Sequence, residues 1–200
     1  IIHDVALQKR HVVFCVDRAG AVPGDGETHQ GVFDIALVRP IPNMTILSPA
    51  TAKDLSLCLN WAVKNERSSL IRYPKASCPI ESAAFSGSIE EGRGVLIKAE
   101  DIAPSLIPDE NQAVPFEKQA LRFERQALLV CTGGMYGEVL SAARNLILKG
   151  VKADIYTLRF IKPFDSEYFA TIAEHYDAVV FAEDGVRIGG VSEYAATLID

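Results

Sequence analysis

Short apolar runs alternate along this chain with segments of helical spacing, and that alternation restricts the fold more than any other feature. His11 to Val16, Thr45-Ile46-Leu47, Leu70-Ile71, Ala127 to Cys131, Ala153 to Leu158 and Ala178 to Ala182 read as strands. The first, rich in β-branched residues, reads as buried. Val32 to Val38, a segment ending at Lys64, Glu138 to Lys149, Asp165 to His175 and Ser192 to Leu198 read as helices. Strands separated by helices pair in parallel, with the helices as crossovers. The expected class is α/β, as two consecutive units with mainly parallel sheets. A chain of 200 residues is long enough to bury a core of that kind.

Local signals set the element ends. Thr51-Ala52-Lys53-Asp54 fits a capping box, with Thr51 accepting from the first turn and Asp54 reaching back. The helix it opens places Leu55, Leu59, Ala62 and Val63 on one apolar face. Glu138 to Lys149 turns Val139, Leu140, Ala143 and Ile147 inward and stops at Gly150. Asp165 and Glu167 favour the first turn of their helix. Between Cys78 and Arg125 the character changes, with Pro79, Pro104, Pro108 and Pro115 scattered among polar and acidic residues. This reads as a connector, partly extended along the surface, with one strand-like insert at Gly94 to Lys98. Glu117 to Arg125 fits a hairpin or a short helix. The division expected is 1–80, a connector 81–125, and 126–200.

Composition excludes several classes. Hydrophobic residues at 48% and charged residues at 23% describe an ordinary globular chain. A net charge of −6 argues against broad nucleic-acid binding. No run reaches the length of a membrane helix, and no signal-peptide pattern opens the chain. Cys15, Cys58, Cys78 and Cys131 lack Cys-x-x-Cys spacing, and three lie in or beside apolar elements. They read as buried thiols in a reducing compartment, hence the cytoplasm. Ile1 to Leu7 reads as a helix already under way without a cap, so a piece of a longer polypeptide is expected.

The chemistry concentrates in Asp17 to Gly31, where four glycines and Pro23 hold a loop at the end of the first strand. Ligands of open α/β sheets bind at the C-terminal ends of strands. Arg18 there suits bidentate recognition of a phosphate. Arg72 occupies the equivalent place after Leu70-Ile71, so the two can converge on one dianion. His29 is the proton-transfer candidate, because imidazole titrates near neutral pH. Asp25, four residues away, would orient it or accept a substrate hydroxyl. His3, His11 and His175 read as structural, and Asp17 and Asp34 as loop and cap residues. Thr132-Gly133-Gly134 lacks nucleotide-loop spacing and reads as a tight turn opening a helix. Glu183-Asp184-Gly185 with Gly189-Gly190 reads as interface or structure.

The pattern Asp-Arg-Ala-Gly at 17–20, then Asp-Gly-x-Thr-His-Gln-Gly-x-Phe-Asp at 25–34, resembles the 1-deoxy-D-xylulose-5-phosphate synthases. These are transketolase-like enzymes that use thiamine diphosphate. The Asp-Gly-x-Thr-His-Gln core is shared with transketolase; the flanking residues favour the synthases. Ile41-Pro42-Asn43-Met44, Ile71-Arg72-Tyr73-Pro74 and Arg159-Phe160-Ile161-Lys162-Pro163 continue the resemblance in order, leaving roughly residues 85–125 outside it.

The resemblance implies part of a pyrimidine-binding domain followed by a transketolase C-terminal domain, possibly truncated, whose structural signature includes Arg159 and Asp165. It implies a transferase that condenses pyruvate with D-glyceraldehyde 3-phosphate, releasing carbon dioxide, at the first step of non-mevalonate isoprenoid precursor synthesis. Arg18 and Arg72 would anchor the acceptor phosphate, with His29 and Asp25 lining the reactive centre. The family's last domain chiefly supports a homodimer. The resemblance assigns Gly24-Asp25-Gly26 to the acceptor-side loop, and no segment here is recognisable as the Gly-Asp-Gly…Asn pattern that holds magnesium and the cofactor's diphosphate. The activating glutamate is expected before Ile1, so the chain alone is expected to bind no metal or cofactor and to be inactive. The alternatives are a transketolase, the β chain of a 2-oxo-acid dehydrogenase, and a non-catalytic dimerisation module.

Overall fold

The protein is described by a computed structural model covering residues 1–103 and 125–199. Pro104, Pro108, Pro115 and 117–124 therefore lie outside the described residues. Two four-stranded sheets form the frame, ordered β1-β3-β2-β7 and β4-β6-β5-β8. The first contains β1 (Val13–Val16), β2 (Met44–Leu47), β3 (Ser68–Arg72) and β7 (Phe160–Lys162). The second contains β4 (Val95–Ile97), β5 (Arg125–Cys131), β6 (Val151–Thr157) and β8 (Ala178–Ala182). The pairs β1–β3, β2–β3, β5–β6 and β5–β8 are parallel. Among the described residues, only the outer strands β7 and β4 run antiparallel to their neighbours. The α/β class with mainly parallel sheets is the fold observed.

Helices α1 (Asp34–Val38), α2 (Ala52–Lys64), α3 (Ala99–Ile102), α4 (Tyr136–Leu148), α5 (Ser166–Ala173) and α6 (Val191–Ala196) connect the strands. The first residues form a π-helical turn, Ile2–Ala6, that buries Ala6. In α4, Val139, Leu140, Ala143 and Ile147 are buried as their spacing predicts, and Gly150 follows with φ +80°. Asp165 caps α5 by accepting from the Tyr168 amide at 3.0 Å.

Four local expectations are corrected. β1 is an edge strand whose residues are half-buried, with Cys15 exposed, because no strand among the described residues pairs beyond it in the sheet. Cys78 is also exposed, so only Cys58 and Cys131 are buried thiols. In α2 the buried residues are Asp54, Cys58 and Ala62, while Leu59 and Val63 are exposed. The helix is turned because the Asp54 carboxylate meets the Arg159 guanidinium in the interior, Nε to Oδ1 2.7 Å. Asp54 does reach back, but to the amide of Ala50 at 2.9 Å. Finally, residues 83–102 are no surface strap: Phe85, Ile97 and Ile102 are buried, and β4 adds to the second sheet beside β6.

The two sheets share one apolar cluster in which Ile46 and Leu70 meet Leu128, Val130, Tyr156 and Ile161. Polar contacts cross at the same level. The Ser48 amide donates to the Arg159 carbonyl (2.8 Å), and the Gly133 amide donates to Ser48 Oγ (3.0 Å). The C-terminal ends of β2 and β5 are thereby brought together.

Candidate active site

The loop after β1 is closed at its neck. Gly20 and Gly31 exchange backbone hydrogen bonds of 3.1 and 2.8 Å, and the Ala19 amide donates to the Tyr73 carbonyl at 3.1 Å. The neck therefore sits on the end of β3, whose Arg72 stands in register with Val16 of β1. Only glycine fits at position 31, because a Cβ there would lie 2.3 Å from the Arg18 carbonyl oxygen. Inside the loop, Gln30 is a spine. Its Oε1 accepts from the Val22 amide (2.6 Å), and its Nε2 donates to the carbonyls of Val22 (3.1 Å) and Gly26 (2.7 Å). Arg18 adopts φ +59°, a conformation that non-glycine residues hold at a cost and that clusters at functional sites.

The charges on this loop are paired. Arg18 Nε donates to Asp25 Oδ2 at 2.7 Å, and its Nη1 meets Asp17. Lys75 Nζ donates to both Asp25 oxygens, at 2.7 and 3.0 Å. The hydrogen bonds from Lys75 and then Arg18 hold the Asp25 carboxyl below its usual range, and the bond to Asp25 raises Arg18 in turn. His29 is exposed, with Nδ1 3.0 Å from Thr28 Oγ1. The structure thus brings Asp25 to Arg18 and Lys75, and sets His29 beside Thr28 on the same loop.

Arg72 is placed differently from Arg18. Its side chain is fully buried, with Nη1 donating to Asp184 Oδ1 at 2.7 Å, Nη2 3.4 Å from the Gly31 carbonyl and Nε 3.7 Å from Asp34 Oδ2. Both arginines approach Gly31, one through its carbonyl and the other through its guanidinium. Burial raises the carboxyl of Asp34, against the pull of Arg72. Asp184 comes from the second sheet, just past β8, and also accepts from Thr132 Oγ1 at 2.7 Å. Its neighbour Glu183 accepts from the amides of Val191 and Ser192, at the start of α6.

Lys75 and Gln30 also meet this loop and were not singled out in the sequence, while Thr132 and Asp184, read there as turn and as interface or structure, are brought to Arg72. Lys75 follows the Arg72–Pro74 turn, and Asp184 follows a strand's C-terminal end. The rule that drew attention to Arg18 therefore applied to both. Gln30 lies within the Asp-Gly-x-Thr-His-Gln core, but its spacing gives no sign that it would be the loop's spine. Among the described residues, no group of three or more His, Cys, Asp or Glu side chains is arranged to hold a metal ion. No helix among them is long and apolar enough to cross a membrane.

Residues 1–81 match the transketolase pyrimidine-binding domain, and residues 118–200 match the transketolase C-terminal domain. The chain is 46% identical over 200 residues to the 1-deoxy-D-xylulose-5-phosphate synthase of Treponema pallidum (strain Nichols). That alignment takes in 100% of this chain and 28% of the relative. The corresponding synthase of Caldanaerobacter subterraneus subsp. tengcongensis is 35% identical over 201 residues, again with 100% of this chain and 28% of the relative. Among solved structures, a split-gene transketolase in an inactive β4 tetramer superposes with a TM-score of 0.76 at 26% identity. The superposition covers 100% of this chain and 56% of that one. The chain therefore spans little more than a quarter of the length of these two synthases. The synthase-like loop at the end of β1, the paired parallel sheets and both domain matches converge: the chain belongs to the transketolase-like family, carrying its pyrimidine-binding domain and then its C-terminal domain.

Proposed function

We propose that the full-length protein condenses pyruvate with D-glyceraldehyde 3-phosphate to 1-deoxy-D-xylulose 5-phosphate and carbon dioxide. The observation that carries this reading is the loop from Asp17 to Gly31. Its Asp-Arg-Ala-Gly and Asp-Gly-x-Thr-His-Gln-Gly segments meet at one neck, in a chain 46% identical along its length to a protein named for that product. Thiamine diphosphate with Mg2+, bound by the full-length protein, supplies the electron sink.

The residues of this chain have acceptor-side roles. Arg18, whose side chain is one-third exposed, presents a guanidinium to the acceptor phosphate at the end of β1. Arg72 supports the same anion from below the neck, with an Nε that has no hydrogen-bond partner among the described residues. Asp25 keeps Arg18 and Lys75 in place and accepts a hydroxyl of the acceptor. His29 Nε2 exchanges a proton with the acceptor oxygen, while Nδ1 faces Thr28.

The remaining parts of the proposal follow from the resemblance, except the division and the location, which rest on the change of composition along the chain and on its cysteine usage. The division into 1–80, 81–125 and 126–200, a homodimer, a cytoplasmic location and a place at the start of isoprenoid precursor synthesis belong to the proposal. So does inactivity of this chain alone. The donors for the cofactor's diphosphate and metal are assigned to other parts of the full-length protein.

The test is an assay of the full-length protein for pyruvate consumption. Consumption that depends on glyceraldehyde 3-phosphate is expected. A requirement for a ketose donor would identify a transketolase instead, and the absence of both activities would leave a dimerisation module. Titration of the 200-residue chain with thiamine diphosphate and magnesium is expected to give no saturable micromolar binding.

A further inference from the structure

We propose that Asp184, contributed by the C-terminal domain, is a positioning residue for acceptor binding: it fixes the guanidinium of Arg72 under the neck of the Asp17–Gly31 loop. The inference rests on the reading of Arg72 as an acceptor-side residue and extends it across the domain boundary. Asp184 Oδ1 accepts two hydrogen bonds of 2.7 Å, from Arg72 Nη1 and from Thr132 Oγ1. Thr132 directly follows β5, so the carboxylate is tied to the ends of two neighbouring strands of its own sheet while gripping the end of β3 in the other.

The seat is tight and dry. The Asp184 side chain is 9% exposed and that of Arg72 is 0% exposed. A Cβ at Gly134 would lie 2.3 Å from Asp184 Oδ2, and one at Gly20 would lie 2.9 Å from Asp184 Cβ. Asp184 therefore touches both the turn after β5 and the neck of the loop. A charge-assisted pair in such a site is stronger and more directional than a surface pair, because little water competes. Arg72 in turn reaches the Gly31 carbonyl and lies near Asp34, which opens α1 immediately after the loop. A shift of Asp184 is transmitted to Arg72 and then to the backbone that carries Arg18, Asp25 and His29. No bond to substrate from Asp184 is required.

The test uses the full-length enzyme. Asp184→Asn keeps the shape and a hydrogen-bonding oxygen but removes the charge. We expect the KM for glyceraldehyde 3-phosphate to rise roughly tenfold or more, with the KM for pyruvate and kcat changed less than about threefold. Thr132→Val, which removes the second grip on the carboxylate, is expected to raise the acceptor KM by about threefold, and Thr132→Ser to restore it. Asp184→Glu is expected not to rescue, since Gly134 leaves no room for a longer side chain. In the Asp184→Asn/Arg72→Ala double variant the acceptor KM should equal that of Arg72→Ala alone.

Equal losses for both substrates, or multiplying effects in the double variant, would overturn the positioning role and leave Asp184 a structural residue. A wild-type acceptor KM for Asp184→Asn beside a raised one for Arg72→Ala would overturn it too. A wild-type acceptor KM for Arg72→Ala would remove the acceptor reading of Arg72 itself, and the role of Asp184 with it. If Asp184→Asn fails to fold, the Thr132→Val and Thr132→Ser pair decides. A wild-type acceptor KM in Thr132→Val overturns the proposal.

Discussion

Arg18 and Arg72 carry the same charge and end neighbouring strands, yet the structure gives them different surroundings. Arg18 lies partly in water, in a left-handed backbone conformation, with Asp17 and Asp25 as counter-ions. Such an arginine can exchange a carboxylate for a phosphate at modest cost, since exposed ion pairs contribute little. On the proposed function, Arg18→Ala in the full-length protein is expected to raise the KM for glyceraldehyde 3-phosphate ten- to a hundredfold, the loss of about 1.5–3 kcal/mol of charge-assisted contact. Steady-state kinetics with each substrate varied in turn reads this out, and an unchanged acceptor KM would remove the anchor role.

Asp25 gives a second test at this scale. Its folded-state pKa lies below that of the unfolded chain, through hydrogen bonds from Lys75 and Arg18. As pH falls, the unfolded state takes up its proton first. The stabilisation is therefore complete above about pH 4 and is lost as pH falls through the folded value. Thermal unfolding of wild type and Asp25→Asn should differ at neutral pH and converge in acid, with high salt shrinking the difference. A gap that persists unchanged at low pH would mean the carboxylate acts otherwise.

At the scale of elements, caps and periodicity behave as the sequence indicates, and burial behaves as the neighbours dictate. Thr51 is a working N-cap, its Oγ1 accepting from the Asp54 amide at 3.2 Å. Thr51→Ala is expected to cost about 1 kcal/mol and Thr51→Ser very little, measured by urea unfolding. The four-residue spacing of Asp54, Cys58 and Ala62 places them on one helix face, and that face is the one turned inward. The competing face with Leu59 and Val63 looks better by hydropathy and is exposed. Leaving a carboxylate inside is tolerable only because a guanidinium meets it. Desolvation raises the Asp54 carboxyl and Arg159 opposes that rise.

At the scale of the molecule, that pair joins the two halves across 105 residues of sequence. Asp54 is 0% and Arg159 4% exposed, so removing one partner strands the other in the interior. Asp54→Ala is expected to destabilise the full-length protein by roughly 3–5 kcal/mol. The apolar double replacement Asp54→Leu/Arg159→Met should cost much less than the sum of the single changes. Denaturant titrations of the four proteins make the comparison, and additive losses would deny the coupling. Lys162 reinforces the junction, donating to the carbonyl of Arg39 at 2.9 Å and to that of Ile41. Burial and the nearby Arg39 lower its pKa.

What the sequence determined by itself is whatever depends on near neighbours along the chain. The α/β alternation, the Thr51 cap, the inward residues of α4 and the Gly-rich loop with Arg18, Asp25 and His29 are all of this kind. Each needs only local spacing, local capping or a motif within one stretch. The tertiary structure decided what depends on groups far apart in sequence. Arg72 meets Asp184 across 112 residues, and α2 is turned by Arg159. β7 and β4 leave their neighbours in sequence to close the edges of the two sheets. A buried charge is stable only beside its partner, and no window of the sequence contains both partners. Arg72 therefore reads as a strand-end anchor in the sequence, and only the folded chain gives it a counter-ion from the other domain.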